Sequence, residues 1–534
     1  MEQILFQVVI ILFKVLFKVF KFCGGLYIIL GYLAMVLIEG HFINKGASTN
    51  DFIKLIELVI LVGCFSCAII TTLQNIIRIV KPDFSFGSLI SSHRGARRKQ
   101  VGKTYENVEK SFVGLESGVV FGKLKGKYLV MPQNTDGHIM VVGGQGSGKS
   151  SCVAIPTLLN YDRSVFAIDI KGELSEHRKK YNYDTVKVFD PMSEHSPHYN
   201  PYAILNEGNK IQGAREMANC IIPITKEDKD PYWKQSAQNL LIACILHFEN
   251  EKKDFPSTCR AIMEKNINEL LEVLQESPVS EVNLFVNQFI GIDTKQLASI
   301  YSTLANEIML FATDKDVMRA LSESNNMISP KDLETLTSVF IKIDEDKLEQ
   351  WKTLLNLMVS QFLKSFEKRQ DRTDKKILFM IDEFARIGKI ESITNGLATL
   401  RSKGIQIMLI IQSLAQLDAI YGQDTRKIIT DNCNYKIILN ANDVDTQEYF
   451  SKLVGTVDIE KKSLSVNSKS FETDKNRGVN ISEEEKRIIK PESFAYLEKP
   501  VVFTPKGYFQ PDKVKWYEDK KFLERENRSE EVSA

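Results

Sequence analysis

The sequence predicts an α/β protein in which a doubly wound sheet is interrupted by an all-helical domain and preceded by an apolar helical hairpin. Three observations predict it. Phe22–Ile38 and Leu55–Ile79 are apolar runs that approach or exceed the roughly 17–25 residues of a membrane-spanning helix. Short apolar runs at Ile139–Val142, Ser164–Ile168, Val186–Phe189, Ser338–Ile343, Ile377–Ile381, Ile405–Ile411 and Tyr435–Leu439 read as buried strands, with a helical stretch such as Ile393–Leu400 between strands. From about Leu205 to Asn326 the strand signals vanish and the pattern turns helical, as in Trp233–Phe248 and Ile267–Gln275.

At 534 residues the chain exceeds the size at which one core keeps growing, so two or more folded units are expected. A formal net charge of +1 excludes a protein coated in basic residues and confines any nucleic-acid contact to a local pore or patch. The eight cysteines are scattered, and Cys64 with Cys67 sits in an apolar run with no second pair to complete a metal site. Those two read as lipid- or helix-facing residues, and the remainder as reduced, buried thiols of a cytosolic domain.

In chain order, residues 1–81 form a membrane anchor. Ile4–Phe20, with Lys14, Lys18 and Lys21 at helical spacing, fits a helix lying on the inner membrane surface or the first half of a longer span, and a cleaved signal peptide is disfavoured because apolar sequence continues past it with no convincing small-residue cleavage site. The two apolar runs then make a transmembrane hairpin. Arg78, Lys81, Arg94, Arg97, Arg98 and Lys99 cluster at and beyond its end, so both termini and the catalytic domain are expected in the cytoplasm. Residues 82–105 are a basic linker. Residues 106–204 and 327–511 are the two parts of the α/β domain, 205–326 the inserted helical domain, and 512–534 a charged, solubilising tail, disordered or weakly helical.

The segment GGQGSGKS, Gly143–Ser150, follows a buried strand and precedes a helix start at Ser151, the context of a phosphate-binding loop. Gly143, Gly144, Gly146 and Gly148 let the backbone curl with its N–H groups inward, and Gln145, Ser147 and Ser151 complete the cradle at a helix N-terminus. Lys149 is expected on the β- and γ-phosphates and Ser150 on Mg²⁺. Pro156 should kink the helix beyond those contacts.

Ile377–Ile381 ends in Asp382 and Glu383, the layout of a Walker B element. Asp382 is placed to hold the Mg²⁺ shell and Glu383 to polarise the attacking water. Gln412, directly after the strand IQIMLII, suits a γ-phosphate sensor, or a solvated polar residue ending a strand. Arg401 suits an arginine finger serving a neighbouring subunit, or an ordinary surface arginine. The sheet so organised is RecA-like.

With DIKGEL at Asp169–Leu174, HYNP at His198–Pro201, PYWKQSAQNLL at Pro231–Leu241 and IDEFARIGKI at Ile381–Ile390 followed by LRSKGIQIMLIIQSLAQL, the chain resembles the type IV secretion coupling proteins, the TraG/TraD-like ATPases of bacterial conjugation. Two positions depart from that pattern: Gly144 stands where a proline is common, and Ile170 replaces the proline of DPKGE. The resemblance implies ATP and Mg²⁺ at Lys149 and Ser150, hydrolysis by Asp382 and Glu383, and finger and sensor roles for Arg401 and Gln412. It implies a hexameric ATPase in the inner membrane, in contact with lipid. Its cargo would be a relaxase with attached single-stranded DNA, or a secreted protein, passed to type IV secretion channel components. An FtsK-like duplex-DNA translocase and an ATP-switched cargo receptor with little turnover are the alternatives. The inserted helices and the lack of a winged-helix-like module after the motor weigh against the first, and intact Lys149, Asp382 and Glu383 against the second.

Overall fold

A computed structural model of the chain describes residues 108–526, apart from positions 115, 182, 207, 226–227 and 467–476. The expected membrane hairpin lies outside the described residues, among which no helix is long and apolar enough to cross a membrane.

An antiparallel hairpin, β1 (Gly118–Leu124) and β2 (Lys127–Pro132), leads into β3 (Ile139–Val142), β4 (Val165–Asp169) and β5 (Thr185–Phe189). Next come two short strands, β6 (His198–Tyr199) and β7 (Met327–Ile328), which pair in parallel although the whole helical segment runs between them. They bring its two ends side by side. The helical segment includes Tyr232–Asn250 and Thr294–Thr313, which pack on one another and bury Leu240, Leu241, Ile300 and Leu304 in the core. The chain then adds β8 (Thr337–Lys342), β9 (Ile377–Ile381), β10 (Ile405–Ile411), β11 (Tyr435–Ile438), a hairpin β12 (Thr456–Val466) and β13 (Arg477–Arg487), β14 (Val501–Thr504) and β15 (Gly507–Phe509).

Among the described residues, nine strands form one sheet in the order β15-β14-β11-β3-β10-β9-β4-β8-β5. From β11 to β5 every neighbouring pair is parallel, and β14 and β15 close the other edge antiparallel. Parallel strands are covered on both faces by their crossover helices, which is why β9 (ILFMI) and β10 (IQIMLII) are buried at every position. The one polar residue among them, Gln406, is satisfied by accepting from Tyr161 Oη at 3.0 Å and donating to the carbonyl of Thr135.

Two expectations are corrected. The helix after the phosphate loop is not an α-helix kinked at Pro156. Lys149–Ala154 forms a wide π turn, and the α-helix begins only at Ile155, with Pro156 in its first turn where a missing N–H is tolerated. The segment from Asp512 is no free tail as far as Glu526. Asp512 exchanges backbone hydrogen bonds with Lys123, Asp519 accepts from Tyr128 Oη at 2.6 Å and pairs with Lys123, Phe522 is fully buried, and Glu526 is buried against His177 at 2.8 Å. Asp519 and Glu526 find their partners on the domain, which is what a composition-based reading of a solvated tail misses.

Candidate functional site

All the parallel strands present their carboxyl ends on one edge of the sheet, where open α/β sheets bind ligands. There β3 leads to Gly143, β4 ends in Asp169, β9 leads to Asp382 and Glu383, β10 to Gln412 and β11 to Asn440. The crossover order places β10 between β3 and β9, so the loop and the two carboxylates, 231 and more residues apart in sequence, are separated by one strand.

The loop is shaped by Gly146 (φ 71°) and Gly148 (φ 100°), both in the left-handed region that side chains resist. Lys149 is buried and donates from Nζ to the carbonyls of Gly143 at 2.9 Å and Gly144 at 3.3 Å, with Glu383 Oε1 3.9 Å away. Burial lowers its pKa, against the pull of Glu383 and Asp382, while the nearby Lys171 lowers it further. Among the described residues, Ser147 Oγ is buried with no hydrogen-bond partner. A buried cation turned back on its own loop and an unsatisfied hydroxyl beside it are donors in excess of acceptors, which fits a polyphosphate.

Asp382 is buried, and its pKa is pushed up to about 6 by burial first and then by the charge of Glu383, with Asp169 a smaller contributor. Carboxylates crowded out of water in this way fit a divalent cation, for which Asp382 and Ser150 are the candidate ligands. Glu383 adopts φ 47° and ψ 43°, a left-handed conformation rare outside glycine, at the sharp turn off β9. The side chain of Gln412 meets it there: Gln412 Nε2 donates to Glu383 Oε2 at 3.0 Å. Gln416, one helical turn on, faces Gln412 through a 3.4 Å amide contact.

Lys149, Ser150, Asp382, Glu383 and Gln412 are therefore brought to one edge. Arg401 is not. It is exposed before β10, whereas Gln412 follows it, and seven residues of strand put the two ends about 20 Å apart. Its charge is felt instead by His138, at the amino end of β3.

Four participants escaped the sequence reading. Asn440 Oδ1 accepts from the Gly144 N–H at 2.7 Å, and a Cβ at Gly144 would come within 2.6 Å of Asn442 Nδ2. A proline at 144 would delete that donor, so the departure from the family pattern has a local partner. The polar run NAND after the apolar Tyr435–Leu439 was the available signal, a strand end beside the loop. Lys513 and Trp516 reach the loop from the far end of the chain: Lys513 Nζ donates to the Ser147 carbonyl at 3.3 Å, and the Trp516 N–H to that of Ser151 at 3.1 Å. No local pattern marks them.

Residues 92–534 match the family model described as type IV secretory system conjugative DNA transfer. Protein VirD4 of Rhizobium radiobacter is 27% identical over 432 residues, covering 77% of this chain and 62% of that protein. The conjugal transfer protein TraG of Escherichia coli is 26% identical over 391 residues, covering 66% of this chain and 61% of that one. The chain thus spans about three fifths of the length of these relatives. Among solved structures, the coupling protein TrwBdeltaN70 in its unbound form superposes with a TM-score of 0.59 at 17% identity, covering 76% of this chain and 90% of that one. TrwB in complex with the non-hydrolysable ATP analogue ADPNP gives 0.60 at 17% identity, covering 76% and 91%. These two likenesses are of fold.

Proposed function

We infer the function from one premise: the chain belongs to the type IV secretory system conjugative DNA transfer family. We propose that it is a membrane-anchored, Mg²⁺-dependent ATPase that takes a relaxase with its attached single DNA strand, or a protein cargo, and drives it into a type IV secretion channel. The convergence of Lys149, Glu383 and Gln412 from three separate strand ends carries this reading. That TrwB has been solved with ADPNP and with ADP and Mg²⁺ supports the choice of ligand.

Each residue then has a task. Lys149 turns its ammonium from the carbonyls of Gly143 and Gly144 to the β- and γ-phosphates, and the loop amides hold the chain of phosphates in register. Ser150 and Asp382 would hold Mg²⁺, which supplies charge neutralisation on the phosphates. Glu383 accepts the proton of a water attacking the γ-phosphorus in line with the leaving oxygen. Gln412 shares its amide between Glu383 and the γ-phosphate, so loss of that phosphate is reported to the helix Leu414–Asn432 that begins two residues later. Arg401, out of reach of its own site, acts as a finger on a neighbour in a hexameric ring.

The test is ATP hydrolysis by the full chain with single-stranded DNA, duplex DNA or none. Stimulation by single strands is expected. Preference for duplex would support an FtsK-like translocase, and binding of ATP without turnover under any condition an ATP-switched receptor. For the anchor, a cysteine placed within Ala47–Asn50 should react with an impermeant reagent outside intact cells and one near the C-terminus should not. The reverse pattern would invert the topology.

A further inference from the structure

In the π turn Lys149–Ala154 each carbonyl looks five residues ahead for its donor, as Ser150 does to the N–H of Ile155. The next carbonyl, Ser151, looks to residue 156, a proline with no N–H. The missing donor comes from 365 residues away: the N–H of Trp516 occupies the place at 3.1 Å. Pro156 thereby creates a docking point for the C-terminal strap on the turn that follows the phosphate loop.

The strap meets that point in a turn, with the Glu518 N–H on the Lys515 carbonyl at 3.1 Å. Val514 is buried and Trp516 packs its ring edge-on against His177, with centroids 4.3 Å apart. The Tyr517 ring sits edge-on to that of Trp516, with centroids 5.6 Å apart. Lys513 reaches the loop at Ser147, the Lys515 ammonium lies 5.8 Å from the centre of the Tyr517 ring, and Tyr517 is 48% exposed. An exposed aromatic with a lysine beside it, on a strap whose other lysine reaches the loop and whose backbone is hydrogen-bonded to the turn after it, suits the outer half of a nucleotide.

Topology says which half. Asp382 and Glu383 leave β9, which lies beyond β10 on one side of β3, so the γ-phosphate points that way. The strap leaves β15, three strands from β3 on the other side, and reaches the loop from there. A nucleotide with its γ-phosphate toward Glu383 trails its ribose and base toward the strap.

We propose that the strap Pro511–Glu518 is the outer wall of the nucleotide site and that Tyr517 stacks on the base. This rests on the nucleotide-binding reading above, and the experiment separates the two. Binding of ATP and of base-free tripolyphosphate, each with Mg²⁺, is measured by calorimetry on the full chain for wild type, Tyr517→Ala, Tyr517→Phe and Lys149→Ala. Tyr517→Ala should weaken ATP about tenfold, the loss of one base–aromatic stack, and leave tripolyphosphate within about twofold. Tyr517→Phe keeps the ring and should bind ATP like wild type. Unchanged ATP affinity in Tyr517→Ala, or an equal loss for both ligands, overturns the wall while the loop assignment stands. If Lys149→Ala binds both ligands like wild type, the nucleotide site itself is misplaced and the wall falls with it.

Discussion

Gln412 Nε2 donates to Glu383 Oε2 at 3.0 Å, tying the residue after β10 to the carboxylate after β9. The same carboxylate lies 3.9 Å from the Lys149 ammonium through its other oxygen, so Glu383 sits between Gln412 and the loop. A carboxylate held this way is engaged until Gln412 finds another acceptor. Glu383→Gln should therefore retain nucleotide and lose hydrolysis by on the order of 10²–10⁴. Gln412→Ala should bind ATP within a few-fold of wild type and lose its response to DNA. Equal DNA stimulation in wild type and Gln412→Ala would remove the sensor role.

Lys149→Ala should lower nucleotide binding or turnover by on the order of 100-fold. It should not unfold the protein, because the ammonium is buried at a cost and holds two carbonyls of its own loop, with Glu383 no nearer than 3.9 Å. A melting temperature equal to or above wild type with activity lost is the expected pair of results. Wild-type activity would displace the site.

Arg401 stands about a strand's length from Gln412, which forbids service to its own site. Arg401→Ala should bind ATP and lose hydrolysis, and mixing it with Lys149→Ala should recover activity at interfaces pairing an intact loop with an intact arginine. Because fingers are worth on the order of 10³–10⁵ in rate, few such interfaces suffice for detection. No recovery in rings proven mixed would return Arg401 to the surface.

His138 is buried where β3 begins, accepting from the Ile407 N–H through Nδ1 at 3.0 Å, and burial pushes its pKa down to about 4, with the charge of Arg401 adding to the effect. The unfolded chain binds a proton near pH 6.5 and the folded one only near 4, so stability is whole above pH 6.5 and falls as pH drops toward 4. The loss is on the order of 3 kcal/mol. Denaturant unfolding at pH 7.5 and 4.5 should show a smaller acid loss for His138→Gln than for wild type. Parallel profiles would refute this origin.

Ending the chain after Gln510 removes the donor to Ser151, the fully buried Phe522 and the buried partner of His177. Stability should drop by on the order of 3 kcal/mol. Pro156→Ala restores an N–H at residue 156 and should loosen the strap, read as faster proteolysis between residues 511 and 526. A truncated chain that melts with wild type would show the strap to be a passive passenger.

The sequence by itself determined the elements whose signal is local. β9 and β10 are legible to the residue because strands covered on both faces must be apolar throughout and end where polarity returns, which marks Asp382, Glu383 and Gln412 as strand-end residues. The loop is legible because its glycines and its lysine are contiguous. The hairpin β12–β13 was not, since its strands carry charged and polar residues without a clean alternation. Tertiary structure alone decided what depends on strand order. The crossovers put β10 between β3 and β9, and so Glu383 against Lys149. The same strand placed Arg401 at the opposite end from Gln412. It also decided that the charged C-terminal segment docks on the phosphate loop, because the carbonyl left unpaired by Pro156 and the N–H of Trp516 are partners only in space, and hydrogen-bond satisfaction is a property of the folded chain that no local pattern encodes.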